Sequence, residues 1–171
     1  MPTFRFATRA DAVSLRDFSE RLFVTTYGGF NTPENMAMYV EKAFSLAQYE
    51  ADLSLDSLRF IVAEEEGRLI AYTKLCLDKP SEINPTLKAV EISRFYVDEP
   101  YQGKGLAQLL MNHTLDWAQA YGAKMVWLAV WQHYPKAVRF YEKCGFQIVG
   151  STTFVLGTDV QDDYLMEKKV S

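Results

Sequence analysis

Apolar and polar positions alternate at two periods along this chain, and each change of period marks an element. Phe4 and Phe6 alternate with polar neighbours, which predicts a first strand over residues 3–7. Thr8-Arg9-Ala10-Asp11 then reads as a capping box, and Leu15, Phe18 and Leu22 continue at helical spacing to about Thr25. Tyr27 to Asn31, with two glycines, is a loop. Thr32-Pro33-Glu34 opens a second helix with a cap, a proline at the first position and a carboxylate in the first turn. Met36, Tyr39, Val40, Ala43, Phe44 and Ala47 form its apolar face. Leu58 to Glu65 and Arg68 to Leu77 read as a hairpin around Gly67, and Lys79 to Thr86, with two prolines, as a loop. Leu87 to Val97 is the central strand. Gly105 to Tyr121 is a helix with Leu106, Leu109, Leu110, Trp117 and Tyr121 on one side; His113 falls on that line and is expected to be at least partly buried. Gly122 ends this helix. Lys124 to Trp131 is continuously apolar, as in a strand buried on both faces. A short helix over Pro135 to Cys144 and strands at about 146–156 and 161–169 complete the chain. No repeat or linker interrupts this order, which predicts a single α/β domain, residues 1–171, around a mixed sheet.

Composition agrees with one domain: 171 residues, 49% of them apolar or aromatic, are enough for a substantial core and short for two. The formal net charge of −4, from 18 basic and 22 acidic side chains, disfavours nucleic-acid binding through a basic face and suits a cationic small substrate. Cys76 and Cys144 have no paired spacing, so neither a disulfide framework nor a zinc site is expected. His113 and His133 have no ligand-like partner nearby, and no metal is expected. Met1-Pro2-Thr3-Phe4-Arg5 lacks an apolar leader core, and no later run approaches the ~18 apolar residues of a membrane span. A cytoplasmic, reduced protein without a membrane partner is the expectation, as a monomer or a homodimer.

The stretch with chemistry in it is Glu91 to Ala107. A β-branched and aromatic strand, Glu91-Ile92-Ser93-Arg94-Phe95-Tyr96-Val97, is followed by the polar turn Asp98-Glu99-Pro100-Tyr101 and by Gln102-Gly103-Lys104-Gly105-Leu106-Ala107 at a helix start. Glycines there let the backbone turn sharply and leave its N–H groups uncovered. The first N–H groups of a helix have no partner within it, and with the helix dipole they favour an anion of diphosphate size. A P-loop needs Gly-Lys-Ser/Thr, which is missing. A dinucleotide fingerprint needs a third glycine where this chain has Gln108.

The spacing that fits is Gln-x-x-Gly-x-Ala at Gln102, Gly105 and Ala107, after an Arg-Phe-Tyr-Val strand. It resembles the acetyl-CoA signature of the GNAT superfamily of N-acetyltransferases. Downstream, Ala137-Val138-Arg139-Phe140-Tyr141 followed by Gly145-Phe146 is similar to the superfamily's later block, in the expected order. The resemblance covers nearly the whole chain and is densest over residues 87–150. It implies a mixed, predominantly antiparallel sheet of about seven strands with about four helices, and acetyl-CoA in the splay between the fourth and fifth strands. Phe95, Tyr96 and Val97 would bond the pantetheine amides through their backbone. Gln102, Gly103, Lys104, Gly105, Leu106 and Ala107 would hold the pyrophosphate, and Tyr134, Ala137 and Phe140 would complete the cofactor wall. The family's later block has asparagine three residues before its alanine, and here that position is Tyr134. The usual asparagine contact is thereby lost, leaving Tyr134 either a contact to the cofactor or a packing ring.

The implied reaction is direct attack of a primary amine on acetyl-CoA in a ternary complex. Tyr141 matches the family tyrosine beside the CoA sulfur; its phenol, with an ordinary pKa of about 10, can protonate the departing thiolate. Glu91 is the candidate base, acting through a water, with a water chain as the alternative. Strict alternation would put Glu91, Ser93 and Phe95 on one face and Arg94 on the other. Several stretches also resemble the bacterial spermidine/spermine acetyltransferases: Thr32-Pro33-Glu34-Asn35, Glu91-Ile92-x-Arg94, Trp127-Leu128-x-Val130-Trp131, Phe154-x-x-Gly157 and Gln161-x-Asp163. They imply a polyamine or similar small amine, for which Tyr27, Phe30, Tyr39, Glu34, Asp159, Asp162 and Asp163 are possible partners. Acetylation of a peptide amine and a non-catalytic acyl-CoA sensor are the rival readings.

Overall fold

The computed structural model describes residues 1–170. The chain runs β1 (Thr3–Phe6), α1 (Ala12–Tyr27), α2 (Pro33–Ala43), α3 (Leu46–Ser54), β2 (Leu58–Glu65), β3 (Arg68–Cys76), β4 (Ala89–Val97), α4 (Leu106–Tyr121), β5 (Met125–Trp131), α5 (Pro135–Lys143), β6 (Gln147–Leu156) and β7 (Asp159–Lys169). The seven strands form one sheet in the order β1-β2-β3-β4-β5-β7-β6. Every neighbouring pair is antiparallel except β4 and β5. That parallel pair is joined by α4, the crossover such a connection requires.

Each face of the sheet carries its own core. On one, α4 and α5 bury Val90, Ile92, Leu110, Met111, Val126, Leu128, Tyr141 and Phe146. On the other, α1 to α3 enclose an aromatic cluster that includes Phe18, Phe23, Phe44, Tyr49, Phe60 and Tyr72. Ten of the chain's 24 aromatic side chains pack in or against this cluster.

The structure corrects the sequence reading in three places. The helix expected to continue from Pro33 through Ala47 breaks at Phe44, so five helices replace about four. Ser45 is extended (φ −69°, ψ 148°) and its side chain accepts from the Gln48 N–H, capping a new helix. The break drops Phe44 into the core at 2% exposure and leaves Ala47 exposed. On α4 the buried stripe is Leu106, Leu110, Met111, Thr114 and Ala118, while Leu109 is 46% exposed. His113 is exposed rather than partly buried, and its ring stacks on Phe4 of the short edge strand β1 at 4.1 Å. Third, β4 contains a bulge. Lys74 pairs with Arg94 but Leu75 pairs with Ile92, so Ser93 has no partner on β3 and alternation resets there. Ile92, Phe95 and Val97 therefore pack toward α4 and α5. Arg94 turns to the Phe44 and Tyr49 side, Tyr96 packs with that aromatic cluster, and Glu91 lines the same cavity as both. Glu91 and Phe95 do not share a face.

The loop between β3 and β4 is tied to β7. Glu167, only 6% exposed, accepts a hydrogen bond from the Ser81 hydroxyl and one from the Asn84 amide at 2.6 Å. The Trp127 indole N–H donates to the Lys79 carbonyl at 2.8 Å. Replacing Glu167 by Ala strands two polar groups, one of them buried, which costs about 1–3 kcal/mol. The expected result is a thermal midpoint lowered by roughly 2–10 °C, measured by calorimetry, with the effect absent in Glu167→Gln only if the amide keeps both partners.

Candidate active site

The site begins where β4 and β5 separate. Their pairing covers Ala89 to Ile92 against Met125 to Leu128 and then stops. From Phe95 to Val97 the β4 backbone pairs only with β3, and from Ala129 to Trp131 β5 pairs only with β7. A channel of ≈ 150 Å³ opens in the wedge, lined among others by Phe95, Tyr96, Val97, Gln102, Tyr134, Ala137 and Tyr141. Its strand edge offers hydrogen-bonding groups to an extended chain of amides.

The channel leads to the loop before α4. Gly103 (φ 74°) and Gly105 (φ 85°) adopt the left-handed conformation that glycine alone enters without strain. Gly105 is the N-cap of α4 and supplies no side chain to its first-turn N–H groups, which stay available for an anion. Lys104 is exposed beside them. Gln102 donates to the Val97 carbonyl at 3.0 Å and accepts from Lys136 Nζ at 3.1 Å, fixing the loop to the end of β4 and to α5. Lys136, in the first turn of α5, was not among the expected residues; its only sequence signal is a cation next to the Ala137 motif position. These features fit an extended amide arm followed by a diphosphate. Leu106 and Phe140 contribute differently from the other expected cofactor residues. Leu106 is a core side chain, and Phe140 packs its ring on Phe95 at 5.7 Å, outside the channel wall.

A second cavity of ≈ 270 Å³ adjoins the channel. Tyr27, Ile92, Ser93, Arg94, Tyr96 and Ala129 line both, so this is the junction of the two. Its walls are aromatic (Phe23, Tyr27, Tyr39, Tyr96, Trp131 and Phe154) and its ionisable side chains are Lys79, Glu91, Arg94 and Asp163 besides the tyrosines. Of the expected acceptor partners, Tyr27, Tyr39 and Asp163 line it; Phe30 is 59% exposed against the Trp131 ring, and Glu34, Asp159 and Asp162 are exposed outside it. The roof is the α1–α2 connection clasped to the β6–β7 turn. Gln161 donates to Asn31 at 2.7 Å, and the Thr158 N–H donates to the Asn35 side chain at 2.9 Å. Gly157 is required there by close approach, since a Cβ would stand 2.7 Å from the Asn35 Cα.

Electrostatics separates the site's groups. Glu91 accepts from Lys79 Nζ at 2.8 Å. Asp163 has no such cation; burial, and then the neighbouring Asp162 charge, raise its pKa to about 6. Tyr141 is buried, and that burial holds its phenol protonated well above the usual value. Tyr27 is raised to about 12 in the same way. Cys76, opposite Glu91, is raised to about 11 by burial and then by that carboxylate.

The profile of the acetyltransferase (GNAT) family matches residues 20–146. An uncharacterised N-acetyltransferase of Mycobacterium tuberculosis is 33% identical over 160 residues, 94% of this chain and 98% of that one. The spermine/spermidine N(1)-acetyltransferase of Bacillus subtilis is 30% identical over only 90 residues, 52% of this chain and 59% of the relative. The crystal structure of PaiA N-acetyltransferase from Thermoplasma acidophilum in complex with coenzyme A has the same fold, with a TM-score of 0.81 at 19% identity over 99% of both chains. The chain belongs to the GNAT acetyltransferase family and is an acyl-CoA-dependent N-acetyltransferase. Among the described residues no cluster of His, Cys, Asp or Glu could hold a metal ion, and no helix is long and apolar enough to cross a membrane.

The Asp163 shift fixes a sign. Its folded-state pKa lies above the ordinary 3.8, so between about pH 4 and 6 the folded chain keeps a proton that the unfolded chain has released. Stability therefore falls as pH rises through that window and stays lower above it. Asp163→Asn removes the loss. Its thermal midpoint should exceed the native one by about 2–4 °C at pH 8, on the order of 1 kcal/mol, and by nothing at pH 4; thermal melts at both pH values check this.

Proposed function

We propose that this chain acetylates the primary amine of a small molecule by direct attack in a ternary complex. The observation that carries the proposal is the meeting of two cavities at one junction: a strand-edge channel ending at a glycine-capped helix, and an aromatic cavity with carboxylates in it. Acetyl-CoA supplies the activated thioester when bound. The Phe95–Val97 edge holds its amide arm, and the loop from Gln102 to Ala107, with Lys136 adjacent, holds its phosphates. Tyr134 and Ala137 wall the channel opposite β4.

Three tasks fall to the chain's own groups. The amine must lose a proton before it attacks. Glu91 and Asp163 are the carboxylates in reach of the acceptor cavity through water; Glu91 is committed to Lys79, and Asp163, with a pKa of about 6, is the better matched base. The oxyanion on the transferring acyl carbon needs a donor, and the β4 backbone beyond the bulge provides N–H groups that β5 does not take. The departing thiolate needs a proton. Tyr141 lines the channel and is kept protonated by its burial, so it is the donor.

A polyamine acceptor is one finer reading, supported by the partial spermine/spermidine relatives and by the cavity's aromatic faces; the Lys79 and Arg94 cations in the same cavity count against it.

Thiol release from acetyl-CoA, followed against spermidine, spermine, amino acids and short peptides, tests the proposal. Release well above the water background with a small amine is expected. Turnover of peptides alone overturns the small-molecule acceptor, and acetyl-CoA binding without any turnover overturns the enzyme reading in favour of a sensor. With an active amine, Tyr141→Phe should lower kcat about 10²-fold with little change in the KM for acetyl-CoA. Unchanged kcat would remove Tyr141 from the reaction. In Asp163→Asn the acid limb of the kcat/KM profile near pH 6 should disappear, whereas the same loss in Glu91→Gln and not in Asp163→Asn would return the base to Glu91.

A further inference from the structure

We propose that the acceptor is an α-amino acid, and that the Arg94 guanidinium holds its carboxylate beside the reacting nitrogen. This rests on the acetyl-transfer reading and narrows its acceptor.

The bulge at Ser93 turns Arg94 into the interior of the acceptor side. Its contacts there are neutral. Nη1 donates to the Tyr49 hydroxyl at 2.9 Å, and the guanidinium carbon stands 4.4 Å from the centre of the Phe44 ring. Among the described residues no carboxylate lies within ion-pair distance of it. The nearby anions are engaged elsewhere: buried Asp52 takes Lys74 at 2.8 Å, and Glu91 takes Lys79 at 2.8 Å. A largely buried cation without a counter-ion is unfavourable unless an anion arrives from outside. A guanidinium has five N–H donors in a planar fork that matches a carboxylate; the Tyr49 hydroxyl takes one and the Tyr39 hydroxyl is a second acceptor beside it.

Position turns this into specificity. Arg94 lines both cavities, and its guanidinium also reaches Tyr39 of the acceptor cavity, so an anion bound to it would lie on the acceptor side of the junction to which the attacking nitrogen must come. An amine and a carboxylate on one carbon meet that demand. Asp163, which lines only the acceptor cavity, then faces the ammonium side of the same molecule. The aromatic walls suit an apolar side chain. A polyamine does not meet the demand. It brings several ammonium groups to a cavity in which Lys79 already neutralises Glu91 and Arg94 repels them. Nor do the polyamine relatives' matches, over 90 and 117 residues, span the lining, which runs from Phe23 to Asp163.

The test compares each amino acid with the amine that lacks only its carboxylate: phenylalanine with 2-phenylethylamine, and leucine with isopentylamine, with spermidine alongside. The expected kcat/KM of the amino acid exceeds that of its partner amine at least 10-fold, and in Arg94→Gln the ratio collapses toward one, with Arg94→Lys restoring part of it. Binding of 3-phenylpropionate, a carboxylate without the amine, is measured by calorimetry on the native chain and on Arg94→Gln in the presence of CoA; the native chain should bind at least 10-fold more tightly. Should Arg94→Gln fail to fold, the native ratio and the competitive inhibition of amino-acid turnover by 3-phenylpropionate decide the question. Spermidine or the partner amines turned over as well as the amino acids would overturn the proposal while acetyl transfer stands. Absence of 3-phenylpropionate binding overturns it as well. Thiol release with none of these acceptors but with short peptides overturns the proposal while acetyl transfer stands; release with neither sinks the acetyl-transfer reading itself.

Discussion

The parallel pairing of β4 with β5 stops at Ile92 opposite Leu128, and the backbone groups it leaves over set what the rest of the molecule must do. An unpaired strand edge inside a protein is tolerated only if something else satisfies it. Here each strand is held from its outer side. β4 keeps its ladder to β3 through Val97, reinforced by the Thr73 hydroxyl on the Arg94 carbonyl at 2.8 Å, and β5 keeps its ladder to β7 through Trp131. The sheet can therefore open in its middle without losing an edge to solvent. The wedge is a defect only in the free chain; to an extended amide it is a missing strand.

The bulge at Ser93 is the local device that makes the wedge useful. With strict alternation Ile92, Arg94 and Tyr96 would share a face. The extra residue sends Ile92 and Phe95 together into the α4 and α5 core while Arg94 and Tyr96 look into the acceptor side. One strand thus presents an apolar seam to one core, a backbone edge to the channel and polar heads to the cavity. The aromatic cluster under α1 to α3 then does two things. It fills the volume beneath those heads, and by excluding water it raises the pKa values of Tyr27, Tyr96 and Asp163.

Most of the fold and the stretch proposed to hold the cofactor were legible in the sequence because their signals are local; Lys136 was missed, and Leu106 and Phe140 turn out to lie outside the channel wall. Periodicity marked the strands, Gly105 and Gly122 bracket α4 in left-handed conformations, and the Gln102 to Ala107 spacing lies within a single strand-to-helix turn. The break between α2 and α3 was legible too, in Ser45-x-x-Gln48, but the apolar residues on both sides masked it as one amphipathic run. The bulge was not. Nothing around Ser93 has the glycine or charge pattern that marks one, and its cause is a register imposed by β3. The acceptor cavity is illegible for the same reason. Asp163 becomes a buried carboxylate only because β7 lies against β5 and under the α1–α2 connection, a long-range arrangement that leaves no trace in its own neighbours.

This division also explains why kinship in the family says more about the donor than about the acceptor. Apart from Thr26 and Tyr27 of α1, the donor half is one contiguous stretch, from β4 to α5. The acceptor half adds α1, α2, the Lys79 loop and the β6–β7 hairpin to β4 and β5, and those four added segments meet only in the folded state. Even the pairing of Glu91 is set from a distance. Lys79 reaches it from a loop whose position depends on the Trp127 indole and on Ser81 and Asn84 held by Glu167 of β7. A change in that loop would release Glu91 as a free anion and make the cavity more acidic without altering the donor channel. Acceptor preference can thus drift by small changes in segments far apart in sequence, while the wedge between β4 and β5 stays fixed by the backbone geometry it must offer.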